Sequence, residues 1–180
     1  MTEQNKKQIS KFLSLVLRHR PDKIGLKLDD NGWANLNDIM EKSKIRFTLQ
    51  ELNEVVATND KKRFSFNEDK TKIRANQGHS LDAIDLKLKP QAPPLFLYHG
   101  TVEKFIPAIK LQGLKKMSRQ HVHLSKDRET ATNVGSRRGK PLILGIRALE
   151  MHNNRYQFFM SENGVWLTNA VPTKFIIFND

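Results

Sequence analysis

Apolar residues recur along the first part of this chain at helical spacing. Ile9, Phe12, Leu13, Val16 and Leu17 fall at i, i+3, i+4, i+7 and i+8, the stripe of an amphipathic helix that buries one face. Pro21 cannot continue that helix. Asn35 stands where it can cap a short helix carrying Leu36, Ile39 and Met40. Thr48-Leu49-Gln50-Glu51 has the spacing of a capping box, and Leu52, Val55 and Val56 follow it. Arg63-Phe64-Ser65-Phe66 and Lys72-Ile73-Arg74 then flank the turn-rich Asn67-Glu68-Asp69-Lys70, which predicts a hairpin.

The pattern changes at Lys87-Leu88-Lys89-Pro90-Gln91-Ala92-Pro93-Pro94, where three prolines in five residues exclude a helix or a central strand. An extended linker is expected here, dividing residues 1–89 from residues 90–180. Beyond it, short apolar runs dominate. Leu95 to Tyr98 is expected to stop at His99-Gly100-Thr101. Phe105, Ile106 and Ile109 predict a helix that ends with Gly113 at C′. His121 to Ser125, Pro141 to Ile146, Val165 to Thr168 and Phe175 to Phe178 are strand candidates. The fold class is therefore α+β. Three helices and a hairpin outline a winged helix in the first lobe, an architecture that binds nucleic acid in many proteins and is a plain scaffold in others.

Charge sharpens this picture. The 180 residues include 31 Lys and Arg against 19 Asp and Glu, a net charge of +12, and the pI is near 10.0. Such a balance favours a polyanionic partner, because cationic side chains release the counterions condensed on phosphates. Both lobes share the excess: 18 basic against 13 acidic residues in 1–89, and 13 against 6 in 90–180. The extreme is 104–140, with 10 basic and 2 acidic residues. Cysteine is absent, which excludes disulfides, thiolate metal sites and cysteine nucleophiles. No apolar run is long enough to span a membrane. The polar start, Met1 to Lys7, lacks the apolar core of a signal peptide. A soluble, cytoplasmic, monomeric protein is expected.

Several clusters carry candidate chemistry. Arg18 and His19 close the first helix. There they can simply complement its dipole, or they can hold a phosphate, arginine as a bidentate fork and histidine as donor or proton carrier. Asp60-Lys61-Lys62-Arg63 is either a solvated charge run or a segment with one cation turned inward to an anion. Arg74, Asn76, Gln77, His79 and Ser80 crowd hydrogen-bonding side chains around Gly78 straight after a strand, which marks a binding loop. In Tyr98-His99-Gly100-Thr101, placed between a strand and a helix, Gly100 permits close ligand approach and Thr101 either receives an anion or is an N-cap. His121 and His123 share a strand face, yet no third ligand stands near enough in sequence to complete a metal set, so no metal is expected. Asp127 and Glu129 belong in the first turn of a helix after Ser125. The phosphate-binding glycine motifs and the serine nucleophile elbow are missing. The second lobe holds only Glu103, Asp127, Glu129, Glu150, Glu162 and Asp180 for carboxylate chemistry.

Taken together, these segments resemble the RNA 2′-phosphotransferase family of tRNA splicing. The matching stretches are Ser10 to His19, Gly32-Trp33-Ala34, Asp60 to Phe64, Ile73 to Ser80, Tyr98 to Thr101, Arg119 to Ser125 and Glu162 to Leu167, in family order. The resemblance implies a winged-helix lobe in 1–89 joined to an ADP-ribosyltransferase-like, NAD-binding lobe in 90–180. It implies removal of an internal 2′-phosphate from a tRNA-like RNA, with NAD+ consumed as co-substrate and no metal. An ADP-ribosylated 2′-phospho-RNA would be the intermediate. RNA with a 2′-OH, ADP-ribose 1″,2″-cyclic phosphate and nicotinamide would be the products. The family's catalytic tetrad falls on Arg18, His19, Arg63 and Arg119. By the same resemblance His99, Gly100, Thr101, His123, Ser125 and Val165 would contact NAD+. Val165 stands where related transferases often carry glutamate, a loss that suits an acceptor already anionic. Arg74, Asn76, Gln77, His79 and Ser80 would contribute to substrate binding. Two other readings compete: a non-enzymatic winged-helix nucleic-acid binder, and an ADP-ribosyltransferase with another acceptor.

Overall fold

Thr2 starts the first helix, its hydroxyl accepting from the Asn5 amide at 3.2 Å. The helix, α1 (Glu3–Arg18), buries Ile9, Leu13, Val16 and Leu17, as their spacing predicts. In this computed structural model the described residues are 1–59 and 61–178. Asp60, from the expected charge run, and Asp180, from the carboxylate inventory, lie outside them. The chain divides into two compact units, Met1–Lys87 and Leu88–Asp180, a boundary two residues before the one expected from the proline run.

In the first unit a short strand, β1 (Ala34–Asn35), leads into α2 (Leu36–Lys42). Asn35 caps that helix, its side chain accepting from the amides of Asn37 and Asp38. Next, α3 (Leu49–Ala57) opens with the predicted capping box: Glu51 N–H donates to Thr48 Oγ1, and Thr48 N–H donates to Glu51. The hairpin is β2 (Phe64–Phe66) with β3 (Lys72–Ala75). β1 adds to the outer edge of β3, giving an antiparallel sheet in the order β1-β3-β2. Two residues are too few for periodicity to reveal β1. One core joins Leu13, Val16 and Leu17 of α1 with Ile39, Leu52, Phe64 and Ile73. Burying such side chains contributes on the order of 1.5–3 kcal/mol each.

The second unit is richer in strands. Its elements are β4 (Leu97–Val102), α4 (Ile106–Gln112), β5 (Leu114–Lys115), β6 (Val122–Leu124), α5 (Arg128–Gly135), β7 (Pro141–Ile146), α6 (Ala148–Asn153), β8 (Phe158–Met160), β9 (Trp166–Thr168), β10 (Ala170–Val171) and β11 (Ile176–Ile177). They form two three-stranded antiparallel sheets, β11-β7-β4 and β6-β9-β8, and the small pair β10-β5. Tyr98 and Ser125 exchange backbone hydrogen bonds of 2.9 and 2.8 Å and so tie β4 to the end of β6. Leu97, Leu124, Ile146, Met151, Phe158 and Phe175 share the core. As expected, α4 ends at Gly113, φ 71°, and Glu129 lies in the first turn of α5. Asp127 stands one place earlier than expected, as the N-cap, accepting from the Thr130 amide at 2.7 Å.

One expectation is overturned. His99, Gly100 and Thr101 do not stop a strand before a helix. They pair with Leu144, Ile143 and Leu142 inside β4. Thr101 is buried in that strand and caps nothing, and no helix N-terminus opens at Gly100. The glycine answers a neighbour instead: a Cβ there would collide with the Ala131 carbonyl of α5 and sit 2.9 Å from the Gly135 nitrogen. It admits a helix backbone. Among the described residues, no helix is long and apolar enough to cross a membrane.

Candidate functional site

The first unit gathers its cations where α1 ends. Arg18, only 9% exposed, lies over the Phe64 ring at 5.8 Å. Its Nη2 donates to the Arg63 carbonyl at 3.5 Å. His19 is the C-cap of α1, and its Nδ1 lies 2.9 Å from Ser80 Oγ, a contact that fixes the ring's orientation. The Ser80 amide donates to the Arg18 carbonyl at 3.0 Å. Arg63, half-buried, donates from Nη1 to Asn59 Oδ1 at 3.2 Å. The Asn76 amide donates to the Arg63 carbonyl at 2.9 Å, and Asn76 Nδ2 donates to the Lys62 carbonyl at 2.7 Å. Two arginines and a histidine are thus set by one backbone segment, 76–80, that bonds to both strands of chain carrying them. Arg74 stacks on the Trp33 ring at 4.4 Å.

The second unit has its own cluster, where β4 meets β6. His99 Nδ1 donates to the His123 carbonyl at 3.1 Å, which leaves Nε2 as the acceptor. Burial lowers the His99 pKa, and Arg138 adds to that effect, so the ring is neutral at physiological pH. Arg119 Nη1 donates to His123 Nδ1 at 3.0 Å. Burial of the guanidinium and then the charge of Arg138 lower the Arg119 pKa. Among the described residues no ion pair involves Arg119, Arg128 or Arg138. Arg128 lies over the Tyr98 ring at 5.7 Å and Arg138 over Phe105 at 5.8 Å. Uncompensated guanidiniums around the neutral His99 ring make a seat for an anion.

The model for the family described as RNA 2'-phosphotransferase, Tpt1 / KptA family matches residues 4–170. The chain belongs to the RNA 2′-phosphotransferase family. It is 59% identical over 181 residues to a protein of Flavobacterium johnsoniae, with 99% of each chain covered. It is 54% identical over 172 residues to one of Rhodopirellula baltica, covering 94% of each. A third, from Fusobacterium nucleatum, is 53% identical over 178 residues, covering 97% of this chain and 99% of the relative. All three bear the name "Probable RNA 2'-phosphotransferase".

Against the tetrad expected for an RNA 2′-phosphotransferase, the structure joins Arg18, His19 and Arg63 in the first unit and sets Arg119 beside His123 in the second. Ser125 lies at the β4–β6 junction, and the Val165 amide donates to Ser161 Oγ at 3.0 Å just before β9. Of the expected substrate-binding residues, Ser80 touches His19, but His79 has no exposed surface and Asn76 only 4%. Those two support the loop from within rather than presenting themselves to a ligand. His121 packs against the Phe159 ring, tilted at 58° with centroids 5.6 Å apart. Sequence reasoning missed three residues. Asn59, which holds Arg63, was hidden by its ordinary place after a helix. Trp33, which carries Arg74, stood only as a matching motif. Arg138 was visible only as part of the basic extreme at 104–140.

Proposed function

We propose that this chain removes an internal 2′-phosphate from RNA by transferring it to NAD+. In the first step an oxygen of the 2′-phosphate bonds to C1″ of the nicotinamide ribose, and nicotinamide departs with the electrons of the glycosidic bond. In the second, O2″ loses its proton and attacks the phosphorus. The bond to RNA O2′ breaks, O2′ takes a proton, and ADP-ribose 1″,2″-cyclic phosphate is released.

What carries this reading is the joining of Arg18, His19 and Arg63 by the segment 76–80, in a member of this family. A phosphate dianion must be gripped without losing its nucleophilicity. Forked guanidiniums do that, and fixed geometry supplies effective molarity. His19, oriented by Ser80, is the candidate to protonate RNA O2′. Arg119 is assigned to the charge that develops on phosphorus in the second step. In the second unit, neutral His99 and the cationic Arg119, Arg128 and Arg138 suit a ribose hydroxyl and a pyrophosphate, the two features that NAD+ presents. The acceptor brings its own negative charge, so valine at 165 leaves no necessary base missing. The first unit is read as a winged helix and the second as an ADP-ribosyltransferase-like lobe, in a monomeric cytoplasmic enzyme acting on tRNA-like RNA without metal.

The test is incubation with a short RNA bearing one internal 2′-phosphate, with and without NAD+. Loss of that phosphate only with NAD+, together with ADP-ribose cyclic phosphate, is the expected result. Arg18→Ala should lower turnover about 10²–10³-fold with folding intact, the scale of removing one charge-stabilising donor. RNA binding with no NAD+-dependent product would favour the non-enzymatic binder, and ADP-ribose on a different group would favour another acceptor.

A further inference from the structure

His79 is the most anomalous side chain of the first unit. It is completely buried, and neither Nδ1 nor Nε2 has a hydrogen-bond partner among the described residues. Its surroundings are tight. A Cβ on Gly32, a glycine with φ 78°, would lie 3.2 Å from Nε2 and equally close to Ile84. The imidazole therefore fills the space beneath the Gly32 turn, next to the Trp33 that carries Arg74. Along the chain it adjoins Ser80, which bonds both His19 and the Arg18 backbone. The charges that act on it are those of Arg18, His19 and Arg74.

A buried polar group without a partner destabilises a fold, and an apolar side chain of similar size would fill the same space at lower cost. An imidazole here sacrifices stability at a place that borders the phosphate-gripping residues, in the same segment as the unpartnered Asn76 Oδ1 and Gln77 Oε1. Stability given up at such a point is the signature of a functional constraint.

We infer that His79 is a positioning residue. Its imidazole holds the Ser80 segment and the Gly32–Trp33 turn so that Arg18, His19 and Arg74 meet an RNA phosphate together. A carboxylate in its place would attract the arginines and compete with the substrate, whereas a neutral ring within the electrostatic reach of Arg18 and Arg74 leaves their charge unquenched. The inference rests on the reaction proposed above, but its test does not depend on turnover.

The test compares wild-type protein with His79→Leu and His79→Gln. The first readout is thermal unfolding. The second is direct binding of two oligoribonucleotides identical except for one internal 2′-phosphate. The third, where turnover is present, is KM for each substrate. His79→Leu is expected to melt at or above the wild-type temperature. It should bind the 2′-phosphorylated RNA about tenfold more weakly, with the unmodified RNA little affected. KM for that RNA should rise by a similar factor while KM for NAD+ stays fixed. His79→Gln, which restores a polar head, should recover part of the loss. Unchanged discrimination between the two RNAs in a folded His79→Leu protein would overturn the inference and leave His79 as packing. Should the leucine variant fail to fold, His79→Met, unbranched at Cβ, carries the same comparison. If wild-type protein shows no NAD+-dependent product, yet the binding difference persists, the reaction fails and the positioning role stands.

Discussion

Burial and the neighbouring charges of Arg18, His19 and Arg74 push the His79 pKa down from 6.5 to about 4. In the unfolded chain the imidazole takes up a proton as pH falls through 6.5. In the folded chain it does not until pH approaches 4. Between those values the unfolded state binds more protons, so stability rises with pH across this window and is lost on acidification. The contribution that disappears between pH 7 and pH 5 is about 2 kcal/mol. His99, whose pKa burial also lowers, adds a slope of the same sign, so the measurement must be a difference. Denaturant unfolding of wild-type protein and His79→Leu at pH 7 and pH 5 provides it. The variant is expected to lose about 2 kcal/mol less on acidification, and equal losses in the two proteins would contradict the shift assigned to His79. Arg63 shows the complementary case at this scale. Its guanidinium is held by the neutral Asn59 side chain and its carbonyl by Asn76, so among the described residues it is oriented without a counter-charge.

Where two elements touch, Gly100 is decisive. α5 crosses β4 so closely that the glycine's missing Cβ is the space occupied by the Ala131 carbonyl. Gly100→Ala must therefore push α5 from the sheet, and is expected to cost about 2–4 kcal/mol in denaturant unfolding. Gly145→Ala, on the neighbouring strand β7, is the control. The nearest atoms its Cβ would meet are those of the Ile177 side chain, at 3.4 Å, and the cost should stay within about 1 kcal/mol. The same contact explains what sequence could and could not disclose. In the first unit, α1, α2, α3 and the hairpin were legible because apolar periodicity, two N-caps and a turn cluster are local signals. In the second, His99-Gly100-Thr101 read as a break because polar and flexible residues end most strands. Here they continue β4, since the glycine's partner is a helix thirty residues on, and no local pattern records such a contact. α6 and β8 give no readable signal because they are short, six residues and three, too few to display a period. The site divided in the same way. Arg18, His19, Arg63 and Arg119 stood out through resemblance, whereas the Asn59, Trp33 and Arg138 contacts arise only once distant segments meet.

For the whole molecule the net charge of +12 is a statement about partners and kinetics. The acidic residues that exist are largely committed to local tasks: Asp127 caps α5, Glu51 closes the capping box of α3, Asp22 pairs with Arg20 and Glu54 with Lys6. Exposed pairs of this kind contribute little to stability, but they withdraw negative charge from any competition with a ligand. The remaining cations are spread over both units, so an RNA strand is attracted by far more of the surface than the few residues that grip one phosphate. NAD+, a small molecule of low net charge, feels only its own seat. The two substrates should therefore respond differently to salt. If about three RNA phosphates are neutralised by cationic side chains, the logarithm of RNA affinity falls with the logarithm of salt concentration at a slope of about −2. A fourfold rise in salt, from about 50 to 200 mM, then weakens RNA binding by roughly tenfold or more. Steady-state assays across that range, with one substrate saturating in turn, should show KM for 2′-phosphorylated RNA rising by that factor and KM for NAD+ changing by less than about threefold, as expected for one short-range anion contact. Parallel salt responses for both substrates would mean that the distributed charge does not capture RNA, and that recognition is confined to the 2′-phosphate alone.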